Sequence, residues 1–112
     1  MKPDDRIRLL HIAEALEHAV RFIQGRSRED LDKDVMLGFA ITYALQTVGE
    51  AASKISQETR NQLPQIPWAD IIGMRHRLVH AYADIDPSIV WRTVTEFAPE
   101  LLAQVKAVLE AD

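Results

Sequence analysis

Apolar residues recur at helical spacing along almost the whole chain, and no stretch alternates in the way a half-buried strand would. Four helices are predicted. In the first, from about Asp4 to Gln24, Leu9, Ile12, Leu16, Ala19 and Ile23 return every three or four residues, while Glu14, Glu17, His18 and Arg21 take the other side. Gly25 is the expected C′ residue that ends it. A polar connection, RSREDLDKD, leads to a second helix, from about Lys33 to Gln57. Its apolar residues (Met36, Leu37, Phe39, Ile41, Tyr43, Leu45, Val48, Ile55) occupy more than one face. That breadth implies contact on two sides, within a bundle or also across a dimer. Gly38 and Gly49 each cost this helix about 1 kcal/mol relative to Ala, a cost commonly offset where another backbone comes close, so close helix packing is expected at both.

NQLPQIP reads as a loop, and Pro67 fits the first turn of a third helix that runs from about Trp68 toward His80. Asp86 followed by Pro87 has the form of an N-cap and N1, opening a fourth helix with a core stripe of Val90, Val94, Phe97, Leu101, Val105 and Val108. Pro99 lies inside that stripe and predicts a kink or restart near Ala98. Short links between four amphipathic segments predict an all-α, antiparallel four-helix bundle, with residues 1–112 as a single domain.

Composition narrows the function classes. A chain of 112 residues buries roughly two-thirds of its unfolded surface and needs no metal or disulfide to fold. With no cysteine there is no thiolate metal site, cysteine nucleophile or disulfide framework, which suits a reducing cytoplasm. The opening MKPDDRIRLLHIAEALEH lacks the apolar core of a signal peptide, so a cytoplasmic location is expected. The longest uncharged stretch, Val35 to Gly49, is 15 residues long and includes Thr42, Tyr43, Gln46 and Thr47, too short and polar for a bilayer span. A buried helix is expected instead. The formal charge of −4 argues against a general nucleic-acid binder, because nonspecific affinity grows with the number of phosphates neutralised. Any RNA contact must be local.

One place is chemically dense. RHRLVHAY, Arg75 to Tyr82, holds two arginines, two histidines and a tyrosine. At about 100° per residue, Arg75 and Tyr82 fall about 20° apart, but Arg75 and His80 fall about 140° apart. A straight helix therefore cannot aim all three at one point. Either the helix unwinds near His80, or the long Arg75 reaches round, or a symmetric partner contributes a second copy. A histidine beside a guanidinium suits phosphodiester chemistry: the imidazole moves a proton and the arginine stabilises charge on the phosphoryl oxygens, with no metal required. Spacing equally allows Arg75 and Arg77 to be solvated charges and His80 a satisfied buried histidine.

Arg75, four residues, His80, one residue and Tyr82 match the R-x4-H-x-Y motif, and the chain resembles the HEPN superfamily, in particular its HepT-like toxin branch. VGEAASKIS (48–56), IPW (66–68), GMRHRLVHAYADID (73–86) and Val90-Trp91 carry the resemblance, which runs from Asp34 to the end of the chain. One departure is His76, where the family usually carries Asn. The resemblance implies an all-α HEPN fold, a homodimer that brings two motifs into one cleft, and a metal-independent endoribonuclease that needs no cofactor. Its role would be the toxin of a type II/VII-like toxin–antitoxin pair, with RNA as substrate and a minimal nucleotidyltransferase (MntA-like) as antitoxin. Carried over by position, Arg75 would stabilise the transition state, His80 would be the acid/base group, and Tyr82 would be the target of AMPylation. An adenylyl group there would add bulk and negative charge beside Arg75. The alternative is a noncatalytic HEPN interaction module that binds the nucleotidyltransferase as substrate or scaffold.

His76 and His80 share a helical face at ligand spacing, but Arg77 between them would repel a cation, which argues against metal. Glu50 precedes Lys54 by one turn and either pairs with it or faces the motif to orient Arg75 or His80. Lys54 and Arg77 are candidate RNA contacts, and Arg92 could widen the positive patch. His11, Glu14 and His18 are expected on a solvated face, Trp68 and Trp91 as core anchors, and Asp84 and Asp86 in the turn and cap.

Overall fold

The computed structural model describes residues 1–80 and 86–112, with His80 given by its backbone alone. Seven α-helices are present among these residues: α1 (Pro3–Phe22), α2 (Asp30–Lys33), α3 (Val35–Ser53), α4 (Gln57–Gln62), α5 (Trp68–His80), α6 (Pro87–Arg92) and α7 (Ala98–Ala111), with one π-helical segment, Thr93–Phe97, joining the last two. The long members form an all-α antiparallel bundle in which α3 lies between α1 and α5, and α1 packs on α7. Its extents of 42 × 28 × 19 Å make it about two helices thick.

The elements start where capping chemistry starts them. Pro3 occupies the first turn of α1, and Asp4 and Asp5 follow at its positive end. The Asp34 carboxylate accepts from Leu37 N at 3.1 Å to open α3. Asp86, as expected, caps α6 by accepting from Ser88 N at 2.8 Å, with Pro87 next. Gly25 has φ +71°, the left-handed turn expected after the first helix, although α1 itself ends at Phe22. Pro67 stands one position before α5 and supplies a carbonyl to Ile71 N at 3.1 Å.

The second long helix departs from expectation at its end. It stops at Ser53 rather than near Gln57, and a separate helix, α4, occupies Gln57–Gln62. Ser56 turns extended (φ −61°, ψ 150°) and accepts from Thr59 N, starting the new helix. Arg60 then folds back onto the end of α3, donating to the carbonyls of Ile55 (3.0 Å), Ala52 (3.1 Å) and Ser53 (2.8 Å). One guanidinium thus serves carbonyls that a helix C-terminus leaves without partners. Asp5, 4% exposed, ties the same corner to α1: its carboxylate accepts from Ser56 N (3.0 Å), Ser56 Oγ (2.6 Å) and Thr59 Oγ1 (2.6 Å). Burial pushes the pKa of Asp5 up, but these hydrogen bonds outweigh it and leave the carboxyl below its ordinary value.

The predicted core stripes are buried: Leu9, Ile12, Leu16 and Ala19 of α1, and Val90, Val94, Leu101, Val105 and Val108 of the last helical run, with Phe97 partly covered. Trp68 and Trp91 pack partly buried against the core, and Trp68 Nε1 donates to Leu63 O at 3.0 Å. Before Pro99 the helix widens to the π segment, and α geometry resumes at Ala98. Pro99 has no N–H for the Thr95 carbonyl and its ring crowds that oxygen, which the wider turn relieves. By length and composition α3 would pass as a membrane-crossing helix, contrary to the expectation from its 15 uncharged residues. Its apolar residues are divided between the core (Leu37, Ile41, Leu45, Val48) and an uncovered stripe.

Candidate active site

The motif helix α5 is seated on α3 with a Cα hydrogen between them. A Cβ placed on Gly49 would overlap the Arg75 Cβ and lie 3.0 Å from its Cγ and 3.2 Å from its Cα. Here the close packing expected of a glycine holds. One turn back on α3, Gln46 Nε2 donates to the Leu78 carbonyl at 3.3 Å. Gly49 meets Arg75 and Gln46 meets Leu78, so α3 and α5 run antiparallel in a register fixed at two points. Met74 and Leu78 point into the core, Arg75 is half-buried at the α3 boundary, and His76 and Arg77 are exposed. Among the described residues no carboxylate pairs with the Arg75 guanidinium.

α5 is helical from Trp68 through His80, and any unwinding beyond His80 lies outside the described residues. The His80 Cα lies about 140° round the helix from that of Arg75. Tyr82 and Asp84 fall outside the described residues.

Other candidates separate. Glu50 is exposed, and its carboxylate lies 3.3 Å from Lys54 Nζ, the simple pair of the two arrangements its position allowed. Arg77, two residues and about 200° from Arg75, lines a different groove of about 470 Å³ with Arg92, Asp70, Glu96 and Glu100. Arg92 is held 3.7 Å from Glu96, so this groove is of mixed charge and does not extend a positive patch around Arg75. Between α1 and α3, His11, Glu14 and His18 line a groove of about 500 Å³ with Phe22, Ala40, Tyr43 and Thr47. His11, Glu14 and His18 are all exposed, the solvated face expected of them; His18 stacks on Phe22 at 6.0 Å and approaches Glu14 at 3.9 Å.

The second apolar face of α3 lies bare. Met36 (81% exposed), Phe39 (73%) and Tyr43 (73%) form a stripe at helical spacing, with Val35 beside them. Among the described residues a Cβ on Gly38 would meet nothing within 4 Å, so the close packing expected there is absent; Gly38 lies at the edge of a groove it shares with Leu31, Pro87 and Val90. Taking Gly49 as 0°, Gln46 lies at about 60°, Phe39 at about 80° and Tyr43 at about 120°. The stripe therefore borders the seat of the motif helix. Gln46 was not picked out from sequence; its only signal there was an amide within an apolar helix, three residues before a glycine.

The chain is thus an all-α bundle whose R-x4-H helix is packed on a glycine of its neighbour. The chain belongs to the HepT-like ribonuclease family, whose model, Ribonuclease HepT-like, matches residues 12–108. It is 36% identical over 104 residues to a protein of Caldanaerobacter subterraneus subsp. tengcongensis named as an RNase, covering 93% of each chain. It is 37% identical over 101 residues to a protein of Thermococcus cleftensis named as a ribonuclease HepT, covering 90% of this chain and 92% of the other. A Methanocaldococcus jannaschii protein, also named as an RNase, is 29% identical over 107 residues, 96% of this chain and 98% of that one. All three names give the activity as provisional. No solved structure matches the chain significantly.

Proposed function

We propose that this protein is a metal-independent HEPN endoribonuclease, acting in the cytoplasm as the toxin of a toxin–antitoxin pair. The observation that carries the reading is the seat of Arg75: its root is held against Gly49, its guanidinium has no carboxylate partner among the described residues, and its helix ends at the motif histidine. In the reaction the RNA's own 2′-hydroxyl attacks the adjacent phosphorus, His80 takes its proton, and Arg75 stabilises the charge on the phosphoryl oxygens. The 5′-oxygen leaves with a proton from a second acid, and a 2′,3′-cyclic phosphate remains.

A homodimer supplies that second acid as the partner's copy of the motif histidine, because one straight helix cannot aim Arg75 and His80 at the same phosphate. The bare stripe on α3 supports such a pairing. Val35, Met36, Phe39 and Tyr43 offer on the order of 500 Å² of uncovered side chain beside the motif helix, a large part of the roughly 800 Å² per partner that a stable interface buries. Silencing would come from an MntA-like nucleotidyltransferase: the Tyr82 oxygen bonds to the α-phosphorus of ATP and pyrophosphate leaves. Lys54, paired with Glu50 at the edge of the same face, is a peripheral RNA contact in this scheme, Glu50 and the exposed His76 are supporting residues beside the motif, and Arg77 lies on the far side of its helix.

The test is cleavage of a mixed-sequence single-stranded RNA in excess EDTA by wild type, shown free of tyrosine modification by mass spectrometry, and by His80→Ala and Arg75→Ala. Wild type should cut and leave cyclic-phosphate ends while both variants do not. Equal inertness of all three overturns the reading. The exposed stripe of α3 also fits a second one, a noncatalytic HEPN interaction module that docks the nucleotidyltransferase and serves as its substrate. Inert protein that still binds and accepts adenylyl groups would establish it.

A further inference from the structure

We propose that Gln46 is a positioning residue for the reaction: its amide clasps the backbone of α5 between the motif arginine and the motif histidine, and so sets where the histidine is presented. The inference rests on the ribonuclease reading above and adds to it a residue outside the motif.

The geometry is a two-point seat. Gly49 and Gln46 are three residues apart on α3, and the positions they meet, Arg75 and Leu78, are three apart on the antiparallel α5. A helix held at a single point can still slide along its neighbour or roll on it. The Gly49 contact sets how close the two axes come. The hydrogen bond from Gln46 Nε2 to the Leu78 carbonyl, at 3.3 Å, sets slide and roll, because it grips a fixed backbone atom. A carbonyl oxygen has two lone pairs, so the Leu78 oxygen can accept this bond alongside another. Leu78 lies two residues before His80 in one continuous helix, so a displacement of the carbonyl is carried to the His80 Cα nearly undiminished. The Leu78 side chain is buried in the core, yet apolar packing is nondirectional and tolerates small rolls that a hydrogen bond does not.

The clasp is suited to positioning rather than to chemistry. Gln46 is half-buried, one of its amide donors is given to Leu78, and an amide neither titrates nor attacks. Acid–base catalysis depends on placement within a fraction of an ångström, and an error of about 1 Å commonly costs about a hundredfold in rate.

Three forms of the full chain decide it: wild type, Gln46→Leu, which keeps the volume and loses the donor, and Gln46→Glu, which is a donor only when protonated. In steady-state cleavage of single-stranded RNA in EDTA, Gln46→Leu is expected to lose roughly ten- to a hundredfold in kcat with KM within about threefold. Gln46→Glu is expected to be equally impaired near pH 8, and its activity relative to wild type should rise as pH falls toward about 5, where the carboxyl regains its proton. A kcat for Gln46→Leu within twofold of wild type, or a flat ratio for Gln46→Glu, overturns the proposal.

A second measurement needs no RNA. The ¹³C shift of the Leu78 carbonyl and hydrogen exchange of the Val79 and His80 amides should change in Gln46→Leu while α1 and α7 stay as in wild type; unchanged signals overturn the clasp. If wild type itself fails to cut, it is the ribonuclease reading that falls, and the carbonyl shift then decides the clasp on its own.

Discussion

The two glycines of α3 sit eleven residues apart on one helix and do opposite things. Gly49 lies under Arg75 so tightly that a methyl group cannot enter, whereas Gly38 looks onto open space. The same contrast separates the two apolar sides of the helix: Leu37, Ile41, Leu45 and Val48 are buried, and Met36, Phe39 and Tyr43 are not. A side that is filled within the chain reports folding. An apolar side that is empty within the chain reports something that comes from outside, since monomers rarely leave large contiguous apolar stripes in water.

The largest expected effect tests the filled side. Gly49→Ala should destabilise by about 3 kcal/mol, the upper part of the range for overpacking, because the group to be displaced is helix backbone as well as side chain. Chemical denaturation measures it, and a loss below about 0.5 kcal/mol would mean that α5 sits less firmly on α3. Next, if the stripe is the proposed dimer surface, Phe39→Asp should weaken self-association by about a hundredfold or more in sedimentation equilibrium, with the fold of each chain intact by circular dichroism. A variant that dimerises like wild type would put the partner surface elsewhere.

The third concerns the corner that holds the end of α3. The pKa of Asp5 is lowered in the folded state, so the stability it contributes is present above its unfolded value of about 3.9 and is lost as pH falls through the folded value. Asp5→Asn should cost about 1 to 3 kcal/mol at neutral pH, and the difference from wild type should shrink in acid, as urea melts at pH 7 and pH 3 would reveal. Smaller still, Gly38→Ala should raise stability by about 0.5 to 1 kcal/mol if nothing covers that face. A loss instead would show another group pressed against Gly38. Finally, Glu50→Gln should shift stability by less than about 0.5 kcal/mol, as expected for an exposed pair with Lys54.

Local chemistry was legible from the residues alone. Asp86-Pro87, Gly25 and the heptad-like stripes of the first and last helices announce themselves through spacing and capping. The motif Arg75, His80 and Tyr82 was visible through its resemblance, though its assembly was not, because the 140° between Arg75 and His80 admits several solutions. What stayed hidden depends on which segments meet. Nothing in GFAITYALQTVGE distinguishes the glycine that faces Arg75 from the one that faces solvent. Gln46 gains its role only from a carbonyl thirty-two residues away. The break after Ser53 likewise needs Arg60 and Asp5 to converge from α4 and α1, and the single serine that caps α4 is a weak signal for it.

The seat of Arg75 on Gly49 has a further consequence, in entropy. A free arginine gives up about 2 kcal/mol of rotameric freedom when it is fixed, and ordinarily that loss falls due when the ligand arrives. Here the Cα, Cβ and Cγ of Arg75 are already wedged against a neighbouring helix, so the root of the side chain is immobilised during folding and only its outer bonds remain to be ordered. In the proposed reaction, more of the attraction between guanidinium and phosphate would then survive as affinity, and a lysine at the same root, with one point charge in place of a planar fork, would inherit the anchoring without the geometry.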